Sequence, residues 1–188
     1  MSMRHGNLFV ISGPSGAGKG TLVASLLNVM PEIWVSISMT TRKPRKGEQN
    51  GREYIFVTEN EFKHLVAQNG LLEWACVHGA YYGTPKAHVE KHIALGKQVI
   101  LEIDVQGAFQ VRDQMPNAHL VFIAPPSLEV LRERLTLRAT DSEESINKRM
   151  QTAELELSQK MEYDIVLVND ELEKAKQELI AYISAQAE

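Results

Sequence analysis

A chain of 188 residues, 44% hydrophobic and 23% charged, is long enough to bury one substantial core and too ordinary in composition to be disordered throughout. Its formal net charge of -4 gives no global attraction to nucleic acid or to anionic membranes. Its one cysteine, Cys76, excludes an internal disulfide, and its six histidines lack the paired spacing of a zinc site.

Residues 1–7 lead directly into a short apolar run, too short to span a bilayer and without a signal-peptide cleavage pattern, so a cytoplasmic location is expected. That run, Leu8, Phe9, Val10 and Ile11, is continuous and partly β-branched, the pattern of a strand buried on both faces. Ser12, Gly13 and Pro14 close it in a glycine-rich turn. After Lys19, the residues Leu22, Val23, Leu26 and Leu27 recur at helical spacing until Pro31.

Residues 32 to about 90 break this rhythm. They are richer in Gly, Tyr and turn signals, and they predict mixed short strands with one helix over about 59–68, an inserted substrate-binding region joined to the core by short hinges. Strand and helix then alternate again. Strands are predicted over 98–104, 119–123 and 164–168, and helices carry Leu128, Leu131 and Leu135, then Ile146, Met150, Ala153 and Leu157, then Leu172, Ala175, Leu179 and Ile183. This alternation favours the α/β class, a parallel sheet covered by helices, within a single domain.

The turn Gly13, Pro14, Ser15, Gly16, Ala17, Gly18, Lys19 has the form G-x-x-x-x-G-K between a strand and a helix. Glycines there let successive backbone N–H groups converge on phosphate oxygens, the helix N-terminus adds partial positive charge, and Lys19 supplies a point charge for the β and γ phosphates. The residue after Lys19 is Gly20, where the pattern has Ser or Thr; the hydroxyl arrives one position later, at Thr21. Adjacent helical residues point about 100° apart, which leaves the protein contact to Mg²⁺ open. Mg²⁺ itself is expected, held by substrate phosphates and water. The loop alone does not separate kinases from GTPases, ATPases or helicases.

Further segments follow in order: Ser36, Ile37, Ser38, Met39, Thr40, Thr41, Arg42, Lys43, Pro44 and Arg45; Gly47 and Glu48; Gly51, Arg52, Glu53, Tyr54, Ile55, Phe56 and Val57; Leu72, Glu73, Trp74 and Ala75; Tyr81, Tyr82, Gly83 and Thr84; Leu101, Glu102, Ile103, Asp104, Val105, Gln106 and Gly107; Val168, Asn169 and Asp170. This ordered series resembles guanylate kinase over nearly the whole chain. The resemblance implies a core of 1–34, 90–125 and 160–188, a GMP-binding insertion at about 35–89 and a helical lid at about 126–159. It implies ATP-dependent phosphorylation of GMP, and of dGMP, to GDP in purine nucleotide metabolism.

By the same resemblance, ATP is held by the loop residues 13–19 with Gly20, Thr21, Arg134, Arg138 and Asn169. GMP is met by Ser38, Arg42, Arg45, Tyr54, Glu73, Tyr82, Thr84, Glu102, Asp104 and Arg149, and Lys19, Arg42, Arg138 and Arg149 carry the catalysis. The chemistry agrees. Arg42 and Arg45 offer planar forks to a monophosphate, supported by the Tyr54 and Tyr82 hydroxyls. One carboxylate, that of Glu73, can accept both N1–H and the 2-amino group of guanine, whereas adenine offers an acceptor at N1.

Glu102 and Asp104, two apart on the expected strand, should project from one face near its C-terminal end, toward guanine, a loop or a hydrated Mg²⁺; a structural salt bridge is the rival for either. In this family the first position is more often Asp, and Glu102 is one methylene longer. Asp141 with Glu144 resembles a capping box at the start of the second lid helix, Arg132 is expected to be solvated, and Ala139 stands where the family commonly has Gly.

Two other functions remain open at this point. One is a kinase for AMP or another monophosphate, since Lys19, Gly20 and Thr21 spell a sequence that looks like adenylate kinase. The other is a non-catalytic guanylate-kinase-like protein-binding module. Nucleic acid and membranes are not expected partners, and oligomeric state is undecided.

Overall fold

In a computed structural model the described residues are 5–137 and 142–187. Arg138, Ala139 and Asp141, singled out above, lie outside them. The elements run β1 (Leu8–Ser12), α1 (Lys19–Leu27), β2 (Trp34–Val35), β3 (Met39–Thr40), β4 (Ile55–Phe56), α2 (Glu59–Ala67), β5 (Leu71–Val77), β6 (Ala80–Pro85), α3 (Lys86–Ala94), β7 (Val99–Glu102), α4 (Val105–Gln114), β8 (His119–Ala124), α5 (Leu128–Thr136), α6 (Glu143–Ser158), β9 (Ile165–Val168) and α7 (Leu172–Gln186).

Five strands form one parallel sheet in the order β2-β7-β1-β8-β9. Every residue of β1 is buried, because this central strand has helices on both faces. Alternation along the strands divides the core accordingly. Leu8, Val10, Val99, Leu101, Leu120 and Phe122 pack with Val105, Ala108 and Val111 of α4, while Phe9, Ile11, Ile100, Val121 and Ile123 pack with Leu22 and Leu26 of α1 and with Ala175, Leu179 and Ile183 of α7.

A second sheet, β4-β3-β6-β5, is mixed: β3 and β4 are parallel, and β6 is antiparallel to both β3 and β5. Helix α2 closes it over a small core of Met39, Phe62 and Leu71. A complete capping box starts that helix, with Thr58 accepting from the Glu61 N–H and the Glu61 carboxylate accepting from the Thr58 N–H. Helices α5 and α6 share a separate core of Leu131, Leu135, Ile146, Met150 and Ala153. No helix among the described residues is long and apolar enough to cross a membrane.

Three local expectations change. The strand expected over 98–104 stops at Glu102, and Asp104 is instead the N-cap of α4, its Oδ1 accepting the Gly107 N–H at 2.7 Å. Glu102 and Asp104 therefore do not share a strand face, because the short Asp side chain is better used to satisfy a helix N-terminus. Helix α3 was unforeseen, while α4 fills the gap between two expected strands where a helical segment was expected without named residues. At the start of α6 the cap is Ser142, whose hydroxyl accepts from the Ser145 N–H at 3.2 Å.

Candidate active site

The turn between β1 and α1 is shaped by its neighbours. A side chain at Gly13, whose φ is 134°, would run into the Ile123 carbonyl, and one at Gly18, at φ 90°, would collide with the Asn169 amide. That amide fastens the loop from just beyond β9: the buried Asn169 Nδ2 donates to the Ala17 carbonyl at 2.8 Å, while the backbone carbonyl of Asn169 accepts from Arg134 Nη2 at 2.9 Å. Lys19 folds back over its own loop, with Nζ donating to the Gly13 and Pro14 carbonyls at 2.5 and 3.0 Å. From α6, Arg149 Nη2 donates to the Ser15 hydroxyl at 2.5 Å.

Beside the loop lies an open cleft of about 350 Å³ lined in part by Gly16, Gly18, Thr21, Arg134 and Asn169. These are five of the residues assigned to ATP by sequence, drawn from three separated stretches of chain. Arg138 cannot be placed with them, since it lies outside the described residues.

A second open cleft, of about 370 Å³, is lined by Ser38, Tyr54, Glu73, Tyr82, Gly83 and Asp104 among others. The antiparallel pairing of β5 with β6 sets Glu73 next to Thr84, whose hydroxyl donates to Glu73 Oε1 at 2.6 Å. Glu73 is only 8% exposed. Burial pushes its carboxyl up to about 7, the Thr84 hydrogen bond opposes this, and the Asp104 charge adds to it. A buried acceptor with one oxygen engaged by Thr84 is suited to a ligand that brings two adjacent donors.

Arg42 lies over the ring of Tyr54, one of the cleft residues, at 5.3 Å and over the Phe56 ring at 5.8 Å. Glu48 holds its terminal nitrogens at 2.9 and 3.0 Å and also accepts the Arg45 N–H at 2.7 Å. The Arg42 hydrogen bond, with the Arg45 N–H second, keeps the Glu48 carboxyl below its ordinary range. The Tyr54 and Tyr82 rings meet edge to face at 5.9 Å. The Arg45 side chain is exposed.

Glu102 ends β7 beside the start of α1. Its residue surface is open to solvent, yet protein crowding around the carboxyl raises it above its usual range, opposed by the Lys19 charge. Glu156, on α6, is half-buried; burial pushes its carboxyl up to about 7, with Lys19 lowering it and Asp104 raising it. The Lys19 charge thus acts on carboxylates from β7 and from α6. Among the described residues no group of three acidic, histidine or cysteine side chains converges to hold a metal.

Sequence reasoning assigned no role to Glu48 or Glu156. For Glu156 a signal existed: it lies seven residues after Arg149, two helical turns on, and so faces the same side of α6.

A family model described as guanylate kinase matches residues 5–186. The guanylate kinase of Streptomyces kasugaensis is 52% identical over 180 residues, covering 96% of this chain and 88% of its own length. That of Thermobifida fusca (strain YX) is 53% identical over 178 residues, covering 95% and 91%. Among solved structures, the guanylate kinase from Anaplasma phagocytophilum superposes with a TM-score of 0.76 at 33% identity, over 99% of this chain and 89% of that one. A shikimate kinase from Bacteroides thetaiotaomicron, with a TM-score of 0.54 at 16% identity over 95% and 98% of the two chains, shares the fold alone.

Proposed function

The chain belongs to the guanylate kinase family, and we propose from that membership that it transfers the terminal phosphoryl group of ATP to GMP, giving GDP, by the arrangement of residues that follows. The observation that carries the choice of acceptor is the buried Glu73 carboxylate, held by Thr84 in the same cleft as Tyr54 and Tyr82. Guanine presents N1–H and its 2-amino group side by side to such an acceptor. Adenine would leave it partly unpaired, and sites built on specific hydrogen bonds reject an analogue lacking them by about 10⁴-fold or more. The groups assigned to the acceptor grip its base and phosphate, so dGMP is expected to serve as well.

ATP binds the loop 13–19 with its base in the cleft of Thr21, Arg134 and Asn169. On phosphate arrival Lys19 exchanges its two loop carbonyls for the β and γ oxygens, a stronger, charge-assisted contact. Arg42, Arg45, Tyr54 and Tyr82 grip the GMP phosphate. Arg149, already at the loop through Ser15, and Arg138 supply positive charge where it develops in transfer. No protein nucleophile is required, because phosphoryl transfer needs alignment and charge stabilisation.

When bound with ATP, Mg²⁺ would neutralise charge on the phosphates, and the Glu102 carboxylate, on which the Lys19 charge acts, together with that of Asp104, would be the groups of suitable chemistry to meet it. The insertion at about 35–89 and the lid at about 126–159 close on the core once both substrates are in place, which keeps water from the reacting phosphate. The cytoplasm, where both nucleotides are found, is the location in which this activity serves purine nucleotide metabolism.

ATP consumption measured with GMP, dGMP, AMP, CMP and UMP tests the assignment. Turnover with GMP and dGMP far above the others is expected. Preference for AMP over GMP overturns it.

A further inference from the structure

The strand that carries Glu73 does not fix its own register. β5 stands at the edge of the second sheet, with β6 as its one neighbouring strand. The two pair regularly from Trp74, opposite Gly83, to Val77, opposite Ala80; Leu71, however, lies opposite Pro85, so the register shifts between Leu71 and Trp74 and Glu73 falls inside the shift. A shift of this kind turns a side chain out of the regular alternation, and its aim then depends on what holds the strand on either side.

Helix α4 supplies that hold. Gln110 treats Trp74 as a neighbouring strand would: its Oε1 accepts the Trp74 N–H at 3.1 Å and its Nε2 donates to the Trp74 carbonyl at 3.2 Å. One turn on, Gln114 Nε2 donates to the carbonyls of Leu71 and Leu72 at 2.9 and 3.1 Å. The residues immediately before and after Glu73 are thus both fastened to α4. The first turn of the helix meets the carboxylate itself: a Cβ added at Gly107 would stand 3.1 Å from Glu73 Oε2, Oε1 being the acceptor of Thr84. Positions 107, 110 and 114 follow one another at the spacing of a single helix face. Since α4 is rooted in the main core through Val105, Ala108 and Val111, this face ties the strand of Glu73 to the sheet that carries the nucleotide loop. The two glutamines line a separate hollow with Leu71 and Trp74, away from the cleft of Tyr54, Glu73 and Tyr82.

We propose that Gln110 and Gln114 are positioning residues for base recognition: they set the register of β5 so that the Glu73 carboxylate meets the 2-amino edge of guanine, without touching the nucleotide themselves. The assignment rests on the base-reading role of Glu73 proposed above. It places a determinant of guanine specificity on a core helix, behind the strand that faces the ligand.

Inosine 5′-monophosphate (IMP) keeps the N1–H of guanine and lacks the 2-amino group, so the ratio of kcat/KM for GMP to that for IMP reads the aim of Glu73. Gln110→Met keeps the bulk of the side chain and removes both hydrogen bonds; the ratio is expected to fall about tenfold, mainly through the KM for GMP, the scale of one weakened charge-assisted hydrogen bond. Gln114→Met should lower it about threefold, and Gln114→Lys, which keeps a donor for the two carbonyls, should restore it. In a Glu73→Ala background Gln110→Met should change the ratio no further, because the residue through which it acts is gone. A merely structural role depresses both substrates alike. An unchanged ratio in Gln110→Met, an equal loss for GMP and IMP, or the same fall in the Glu73→Ala background overturns the proposal. Should Gln110→Met not fold, equal ratios in Gln114→Met and Gln114→Lys overturn it as well. A wild type that separates neither IMP nor AMP from GMP overturns the base-reading role of Glu73 and the positioning with it. A wild type that separates them, with variants that do so equally well, overturns the positioning alone.

Discussion

The Glu48 carboxylate occupies the terminal edge of the Arg42 guanidinium, with Oε2 2.9 Å from Nη1 and Oε1 3.0 Å from Nη2. The other Nη1 hydrogen goes to the Lys43 carbonyl at 2.8 Å. A guanidinium has five N–H donors in a fixed plane, so what remains is the side edge, Nε–H with the outer Nη2 hydrogen. The Nε atom is buried without a hydrogen-bond partner among the described residues. Glu48 thereby decides which edge of Arg42 is presented to a phosphate, and the Arg45 N–H on the same carboxylate ties the neighbouring loop to that choice.

Glu48→Gln is expected to raise the KM for GMP about tenfold, the scale of one charge-assisted hydrogen bond, with little change in kcat. Guanosine, which has the base but no phosphate, should compete equally well against both proteins. Steady-state kinetics with guanosine as inhibitor separates the two effects. Equal loss of guanosine binding would assign Glu48 to the fold of the whole cleft and not to the phosphate.

Glu73 makes stability and ligand binding depend on pH in opposite senses. Its folded value near 7 lies above the 4.5 of an unperturbed glutamic acid, so the folded chain binds the proton more tightly than the unfolded one does. This contribution is present at low pH and is lost as pH rises from about 4.5 to about 7. The ionised form, required to accept two guanine donors, is the form that burial and Asp104 disfavour. GMP affinity should therefore increase as pH rises through about 7, with proton release on binding below it. Titration calorimetry in buffers of different ionisation enthalpy measures that release. Glu73→Gln should melt at a higher temperature than the wild type at pH 8, lose the proton release, and bind GMP poorly.

These dependences explain which parts were legible in the sequence. The strand at 8–11 was plain because a strand covered on both faces needs an unbroken apolar run. The start and the buried face of α4 were hidden: Val105, Ala108 and Val111 are buried on it, but Gly107 interrupts the helical pattern and Asp104 reads as the end of a strand. The loop glycines and Lys19 carry their chemistry in their spacing. Glu48 does not, since an acid among Arg42, Lys43, Arg45 and Lys46 reads as a solvated charge until its two oxygens are found on one guanidinium. Glu156 needs the packing of α6 against the loop before its relation to Lys19 exists.

Asn169 joins the end of β9 to the nucleotide loop through one buried hydrogen bond to the Ala17 carbonyl. Asn169→Ala leaves that carbonyl without its donor and opens space beside Gly18. A loss of about 1–3 kcal/mol in unfolding free energy is expected, the cost of one unsatisfied buried group. Because the side chain holds the loop and lines the cleft beside it, while the backbone carbonyl that holds Arg134 is kept, the KM for ATP should rise more than that for GMP. Denaturant unfolding and two-substrate kinetics measure both.

Arg149 reaches from α6 to the Ser15 hydroxyl, connecting the helix pair α5–α6 to the loop that holds the triphosphate. Ser15→Ala removes the hydroxyl acceptor but leaves the guanidinium, whose stronger partner is a phosphate oxygen; nearly normal turnover is expected. Arg149→Ala removes the charge itself and should lower kcat by about 100-fold, the scale of one preorganised donor in a site where charge develops. Arg149→Lys should recover only part of that loss, since a point charge cannot bridge two oxygens as a planar fork does. Single-turnover rates with ATP and GMP saturating isolate the transfer step from binding. A kcat for Arg149→Ala close to that of Ser15→Ala would reduce Arg149 to a structural tether between helix and loop.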